Sequence, residues 1–211
     1  MIVLCLEGCH GVGKTELLAQ FQKAGFPVLD EAFMEMPEYA LHPQTLLMET
    51  VWLSNWFMRL LQMTQTVKDH DHTIFVADRS PYSAEFYGAN GHLLGPVIRE
   101  QINELRTKNI FVYTVLVKVD KELLWERINK RLIAEPHRVK YNEHSREWME
   151  KTYQWYNTHE WDFLILNNQW DITETMRNMM TLLSAFAEQN DRTCWEQHGL
   201  FDRSSSFVSC T

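Results

Sequence analysis

The residues with the plainest chemistry stand at the start of the chain. Gly8, Gly13, Lys14 and Thr15 keep the spacing Gly-x-x-x-x-Gly-Lys-Thr, after the apolar run Ile2-Val3-Leu4-Cys5-Leu6 and before Glu16-Leu17-Leu18-Ala19-Gln20-Phe21. Strand, glycine turn and helix in that order are the parts of a phosphate-binding loop. Glycines reach positive φ and carry no Cβ, so successive backbone N–H groups can turn into one concavity around an anion. The helix N-terminus that follows adds unpaired donors and the positive end of its dipole. The expected cradle for ATP is Gly8, His10, Gly11, Val12, Gly13, Lys14 and Thr15, with Lys14 bridging the β- and γ-phosphates and the Thr15 hydroxyl holding Mg²⁺. An ordinary glycine turn is the alternative.

A second apolar run, Ile74-Phe75-Val76-Ala77, closes on Asp78, the form of a strand that orients Mg²⁺ directly or through water. Many buried strands end in Asp for no such reason. Arg79 follows at once, where a guanidinium spans the charge developing between phosphoryl donor and acceptor. Its plain alternative is an ion pair with Asp30 or Glu31.

These groups need elements to bring them together. Apolar, β-branched runs predict strands over 2–6, 26–31, 72–79, 110–119 and 161–166. Helical periodicity follows the phosphate loop to about Lys23 and recurs from about Pro43 to Val67, through Glu85, and over 94–106, 122–133, 144–159 and 172–187. Residues 32–42 read as an irregular or short helical connection and 134–143 as a loop. Strands alternating with helices imply an α/β fold, a parallel sheet covered on both faces. In such a sheet ligands bind outside the carboxyl ends of the strands, which gathers Gly8–Thr15, Asp30-Glu31 and Asp78-Arg79 into one cleft. Residues 188–211 lose periodicity and read as a polar, loosely attached tail.

With 211 residues, 45% of them hydrophobic, the chain can bury one substantial core. Its net charge of -8 offers no basic field to a phosphate backbone or an anionic bilayer, so neither nucleic acid nor membrane is an expected partner. Apolar runs are strand-sized, short of the roughly 18 residues of a membrane span. Met1–Leu6 has no basic flank and is used as a strand, so no targeting segment is expected. Cys5, Cys9, Cys194 and Cys210 lack metal-ligand pairing and are expected as reduced thiols in the cytoplasm.

Three segments in order, Glu7-Gly8-x-x-Gly11-x-Gly13-Lys14-Thr15, Asp78-Arg79-Ser80-Pro81-Tyr82-Ser83-Ala84-Glu85-Phe86-Tyr87 and Arg127-Ile128-Asn129-Lys130-Arg131, resemble the thymidylate kinase and deoxynucleoside kinase superfamily over residues 1 to about 166. The loop is closer to thymidylate kinases, the Asp-Arg-Ser-x-Tyr-Ser segment to deoxynucleoside kinases. The resemblance implies one domain over 1–187, a five-stranded parallel sheet with helices on both faces, ATP as donor, and an arginine-rich helical lid at about 127–143. Arg127 and Arg131 are four apart, hence on one helix face, and would reach ATP from that lid with Arg138 in the following loop. Arg131 joins Lys14, Arg79 and Glu31 as a catalytic group. A solvated charged helix is the alternative for the arginines.

The acceptor follows from charge. Between Lys23 and Arg59 there is no Lys or Arg, yet Asp30, Glu31, Glu35, Glu38 and Glu49 stand there. A carboxylate ~6 Å from one charge of a monophosphate repels it by roughly 3 kcal/mol at an effective dielectric of ~20. Thymidylate kinases resemble one another in placing arginines at two positions held here by Asp30-Glu31 and Trp52. A neutral hydroxyl suits this cleft better. Glu31 resembles the deoxynucleoside kinase glutamate that takes the proton of the 5'-hydroxyl, although Ala32 stands where a proline usually follows; solvated loop acidity is its alternative. Tyr39 and Glu49 fall near positions that contact the sugar 3'-hydroxyl and the nucleobase. The base reader is usually glutamine, which donates and accepts, whereas an ionised Glu49 only accepts. Trp52, Trp56 and Phe57 either stack on a base or belong to the core.

The leading expectation is therefore ATP-dependent phosphorylation of a deoxynucleoside 5'-hydroxyl. A thymidylate kinase-type monophosphate kinase is the rival, requiring a cation such as Arg99 or Arg146 at the acceptor. A regulatory P-loop ATPase is the third reading. A homodimer is left open.

Overall fold

In the computed structural model, which describes residues 1–32, 41–67, 73–169 and 171–189, strands and helices alternate as the periodicity requires. The strands are β1 (Ile2–Glu7), β2 (Val28–Leu29), β3 (Ile74–Asp78), β4 (Phe111–Lys118) and β5 (Phe163–Leu166). They form one parallel five-stranded sheet in the order β2-β3-β1-β4-β5. The helices are α1 (Lys14–Lys23), α2 (Leu46–Thr66), α3 (Ser83–Tyr87), α4 (Gly95–Arg106), α5 (Lys121–Ala134), α6 (Arg146–Thr158) and α7 (Ile172–Gln189).

Strand alternation builds two cores from one sheet. Leu4 and Leu6 of β1, with Ile74 and Val76 of β3, face a layer formed by α1, α5, α6 and α7. Val3 and Cys5, with Phe75 and Ala77, face α2 and α4 on the other side. The chain leaving β1 enters α1 in the first layer, and the chain leaving β3 reaches α4 in the second. Neighbouring strands thus send their connections to opposite faces, and a crevice opens between their carboxyl ends. The register sets its contents: Leu6 pairs with Asp78, so the phosphate loop leaves β1 beside Arg79.

Two spans differ from expectation. The strand expected over 26–31 contracts to Val28–Leu29, because Pro27 has no N–H to donate and Ala32 turns the chain away at φ 48. That φ also accounts for the missing proline, whose ring cannot leave negative φ. The expected loop over 134–143 contains a 3₁₀ helix at Pro136–Tyr141. The expected tail lies outside the described residues from 190 onward, with Cys194 and Cys210. Cys5 and Cys9 are buried thiols, and burial raises both, Cys9 to about 12. Among the described residues no helix is long and apolar enough to cross a membrane.

Gly8 is held where no other residue fits: its φ is 138, and a Cβ there would meet the Val117 carbonyl oxygen of β4 at 2.5 Å. Gly8→Ala should therefore lower the unfolding free energy by about 2 kcal/mol or more through backbone strain, read as a reduced urea midpoint. An unchanged midpoint would show that the loop does not press on β4.

Candidate active site

Glu7 ends β1 with a fully buried carboxylate. Its Oε1 accepts the Ser80 backbone N–H at 2.7 Å and the Ser80 hydroxyl at 2.6 Å, and its Oε2 accepts from Ser83 at 3.0 Å and from the Tyr156 hydroxyl at 3.2 Å. The segment after β3 is thereby clamped onto β1 and α6. Arg79 enters that clamp with φ 73, a conformation costly outside glycine and typical of functional sites. Its amide donates to Leu6, and its carbonyl accepts the Trp56 indole N–H at 3.2 Å. The guanidinium is fixed on three sides. Nε donates to Glu31 Oε1 at 2.6 Å, Nη1 donates to the Tyr156 hydroxyl at 2.7 Å, and the Tyr87 ring centroid lies 4.8 Å from Cζ.

On the loop side, Gly13 caps α1 in the left-handed region, and the Lys14 ammonium lies over the loop, donating to the Gly8 and Cys9 carbonyls at 2.8 and 3.1 Å. The Thr15 hydroxyl donates to Asp78 Oδ2 at 2.9 Å, while Asp78 Oδ1 is buried without a partner among the described residues. An unsatisfied carboxylate oxygen beside a hydroxyl fits a hard, oxygen-seeking cation. Among the described residues no three His, Cys, Asp or Glu side chains converge as a metal site. Mg²⁺ held by Thr15 and Asp78 would thus draw its other ligands from phosphate and water.

Both sides open on one cleft of about 970 Å³, at the upper end of the roughly 300–1,000 Å³ of small-molecule sites. The loop residues His10, Gly11, Gly13, Lys14 and Thr15 line it together with Asp78, Arg79, Glu31, Glu49 and Trp52. Gly8 and Val12 stand behind its wall, Val12 with its carbonyl accepting from Asn167 at 2.9 Å. Arg127, Arg131 and Arg138 also reach the cleft. Arg127 donates to the Asn168 carbonyl at 3.0 Å. Arg131 and Arg138 share the buried carboxylate of Glu143, with Arg138 also paired to Glu135. Trp52 is core on one edge and wall on the other, its indole N–H donating to the Glu31 carbonyl at 2.9 Å. Trp56 and Phe57 belong to the core. Tyr39 lies outside the described residues.

Asp30 corrects one expectation. It turns outward to an ion pair with Arg59 and leaves the cleft to Glu31, since successive residues of an extended chain point to opposite sides. Sequence reasoning missed Glu7, Glu143 and Tyr156 as organisers and Tyr87 and Trp148 as wall. A carboxylate at the very end of an apolar strand, next to the glycine turn, is the one signal that could have singled out Glu7; Tyr156, Tyr87 and Trp148 read as ordinary helical aromatics.

The family model for an AAA domain, AAA_28, matches residues 3–172. The chain belongs to that family. No curated protein matches it. The AAA domain is similar in fold to the tunicamycin resistance protein of Deinococcus radiodurans, at 12% identity over 90% of this chain and 96% of that one, with a TM-score of 0.54. It is likewise similar to a gluconokinase from Sinorhizobium meliloti, at 14% identity over 89% and 94% with a TM-score of 0.50. A deoxyadenosine kinase from M. mycoides, solved with dCMP and dCDP, aligns at 13% identity over 87% and 99% with a TM-score of 0.50. The five-stranded sheet of this AAA domain is that of P-loop kinases, whose acceptors differ.

Burial sorts the charges of the AAA domain. Lys14 is lowered to about 8 by burial and then by Arg79. Burial, with Arg131, Lys14, Arg79 and Arg138 adding to it, holds His10 well below the imidazole range, hence neutral. Burial would raise Glu31, but Arg79 and Lys14 outweigh it and lower its carboxyl. Burial raises Asp78 against the pull of Lys14. Glu49, 2% exposed, is raised from 4.5 to about 8 by burial, with Arg79 opposing and Glu31 assisting. The expected ionised Glu49 is thus overturned: at neutral pH it is an uncharged acid.

Because Glu49 titrates higher folded than unfolded, the unfolded chain holds fewer protons between pH 4.5 and about 8, and stability falls as pH rises through that window. The stability gained by Glu49→Gln should accordingly grow with pH, by about 1.4 kcal/mol per unit at most, and level off above the window. Melting curves of both proteins across that range check this; a constant difference would mean Glu49 is ionised.

Proposed function

We propose that this chain is an ATP-dependent kinase that phosphorylates the 5'-hydroxyl of a deoxynucleoside. The observation that carries the reading is the wall around Glu31, where Arg79 is already paired with that carboxylate and Glu49 is an uncharged acid, so neither offers a monophosphate an uncommitted cation. A monophosphate would bring nearly two negative charges to that wall. The cations a thymidylate kinase-type reaction would call on are elsewhere: among the described residues, neither Arg99 nor Arg146 lines the cleft, and Arg146 is held by Glu122 at 2.6 Å and by Glu150 at 3.4 Å. The similarity in fold to a deoxyadenosine kinase agrees with the reading but does not select it, since a gluconokinase is similar to the same extent.

In this mechanism the phosphate loop and Lys14 grip the donor phosphates, with Arg127, Arg131 and Arg138 facing them across the cleft. Thr15 and Asp78 would hold Mg²⁺, which would supply charge neutralisation to the phosphates. Glu31, kept ionised by Arg79, accepts a hydrogen bond from the 5'-hydroxyl and orients its oxygen in line with the phosphoryl group. As the new O–P bond forms and the bond to the leaving diphosphate breaks, the hydroxyl proton passes to Glu31. Its lowered basicity makes that transfer late, after charge has left the oxygen. Arg79 spans the transferring group, and its bonds to Glu31 and Tyr156 hold it in place without further ordering.

Glu31→Gln should keep ATP affinity and lose about 10²–10⁴-fold in turnover. Calorimetric ATP binding, together with product analysis after incubation with Mg-ATP and each nucleoside or nucleoside monophosphate, reads both. Normal turnover by the variant removes the base assignment. Product from dTMP but from no nucleoside would move the chain to the monophosphate kinases, and steady ATP hydrolysis without any acceptor would make it an ATPase.

A further inference from the structure

A phosphate loop works only while its amides face the anion, and in this loop one peptide is free to turn. Gly13 stands at φ 101, and glycine takes either sign of φ with similar ease, so the Val12–Gly13 peptide can turn over unless something holds it. Asn167 holds it. This residue follows β5, is 2% exposed, and donates from Nδ2 to the Val12 carbonyl at 2.9 Å across 155 positions of sequence. A trans peptide sets its C=O and N–H on opposite sides, and no peptide among the described residues is cis. With the Val12 carbonyl turned back to Asn167, the Gly13 N–H faces the other way, toward the cleft that Gly13 lines. Gly13 is the N-cap of α1, so its amide belongs to the group that no helical carbonyl accepts.

Asn167 is itself tied down. Its backbone N–H donates to the Lys118 carbonyl of β4 at 2.8 Å, and its Oδ1 meets the Thr175 hydroxyl, in the first turn of α7, at 3.3 Å. An amide offers a donor and an acceptor from one short side chain, whereas an aspartate would set a carboxylate against the Val12 carbonyl oxygen. A buried asparagine satisfied at both ends stabilises any fold; this one has as its partner a loop peptide whose opposite side is the donor site. Neither Asn167 nor Thr175 lines the cleft, so both act through the loop. Resting on the reading of this loop as the grip for ATP, we propose that Asn167 is a positioning residue for the donor, locking the Val12–Gly13 peptide so that the Gly13 N–H is presented to the donor phosphates. Once released, the same peptide can turn its carbonyl oxygen to them, which replaces an attraction by a repulsion.

Two measurements on the full chain test this. Asn167→Asp keeps the volume and removes the donor. In calorimetry it should weaken the binding of both ATP and tripolyphosphate by about tenfold or more, as expected when a hydrogen bond to a charged group is lost, while the acceptor KM stays level. Tripolyphosphate has neither base nor sugar, so its weakening assigns the effect to the loop. The second measurement needs no variant and decides alone if Asn167→Asp does not fold: in nitrogen-labelled wild type, tripolyphosphate should move the Gly13 amide proton downfield. Unchanged tripolyphosphate affinity in Asn167→Asp, an acceptor KM that rises as much as the KM for ATP, or a Gly13 amide that tripolyphosphate does not move overturns the proposal and leaves the kinase reading standing. Wild-type protein that binds neither ATP nor tripolyphosphate overturns the grip for ATP itself, and the proposal falls with it.

Discussion

Glu7 accepts hydrogen bonds from the Ser80 amide and hydroxyl, from Ser83 and from Tyr156, all inside the protein, and so binds the ends of β1 and β3 to α6. The constraint is electrostatic. A buried carboxylate is tolerable only when donors surround it, and here the donors belong to the segment that carries Arg79. In the segment that Glu7 holds, Arg79 has a left-handed backbone, and its guanidinium is engaged by Glu31 and Tyr156. The phosphate loop begins at the residue after Glu7. The phosphate loop and the cleft wall around Arg79 are therefore built outward from one carboxylate.

The rest of the cleft is a sorting of charge by burial. Of the acidic side chains in or beside it, four meet four different environments. Glu7 is surrounded by neutral donors, Glu31 is neutralised by Arg79, Asp78 shares a hydrogen bond with Thr15 and leaves one oxygen unsatisfied, and Glu49 is left without a partner. Identical chemistry thus yields a structural clamp, an ion-paired carboxylate, a half-satisfied carboxylate and a buried acid without a partner. On the opposite wall Glu143 plays the organising part, drawing Arg131 and Arg138 together beside the loop. Their like charges would otherwise repel across the short distance the site requires.

Much of the fold was legible because it rests on local rules. The alternation in Ile2-Val3-Leu4-Cys5-Leu6 sends residues to two cores, and the structure fills both. The phosphate loop was legible because its glycines, Lys14 and Thr15 meet backbone requirements that few other residues satisfy. Asp78 and Arg79 could be placed near the loop because strand ends in a parallel sheet share one edge. Less could be read where a side chain's direction depends on one dihedral. Asp30 and Glu31 are neighbours of the same type, and only the backbone at the end of β2 sends one to Arg59 and the other to Arg79.

Taken alone, the sequence determined a parallel α/β sheet, a phosphate loop ahead of α1, and a stretch between Lys23 and Arg59 rich in acid and without a cation. Those properties follow from periodicity, spacing and composition, which act over a few residues. The tertiary structure decided the burial of Glu49 that raises its carboxyl, the threefold fixing of Arg79 and the pairing of Arg131 and Arg138 with Glu143. Each depends on how much water and which charges surround a group, and its neighbours are supplied by elements up to 149 positions apart, as Glu7 and Tyr156 are.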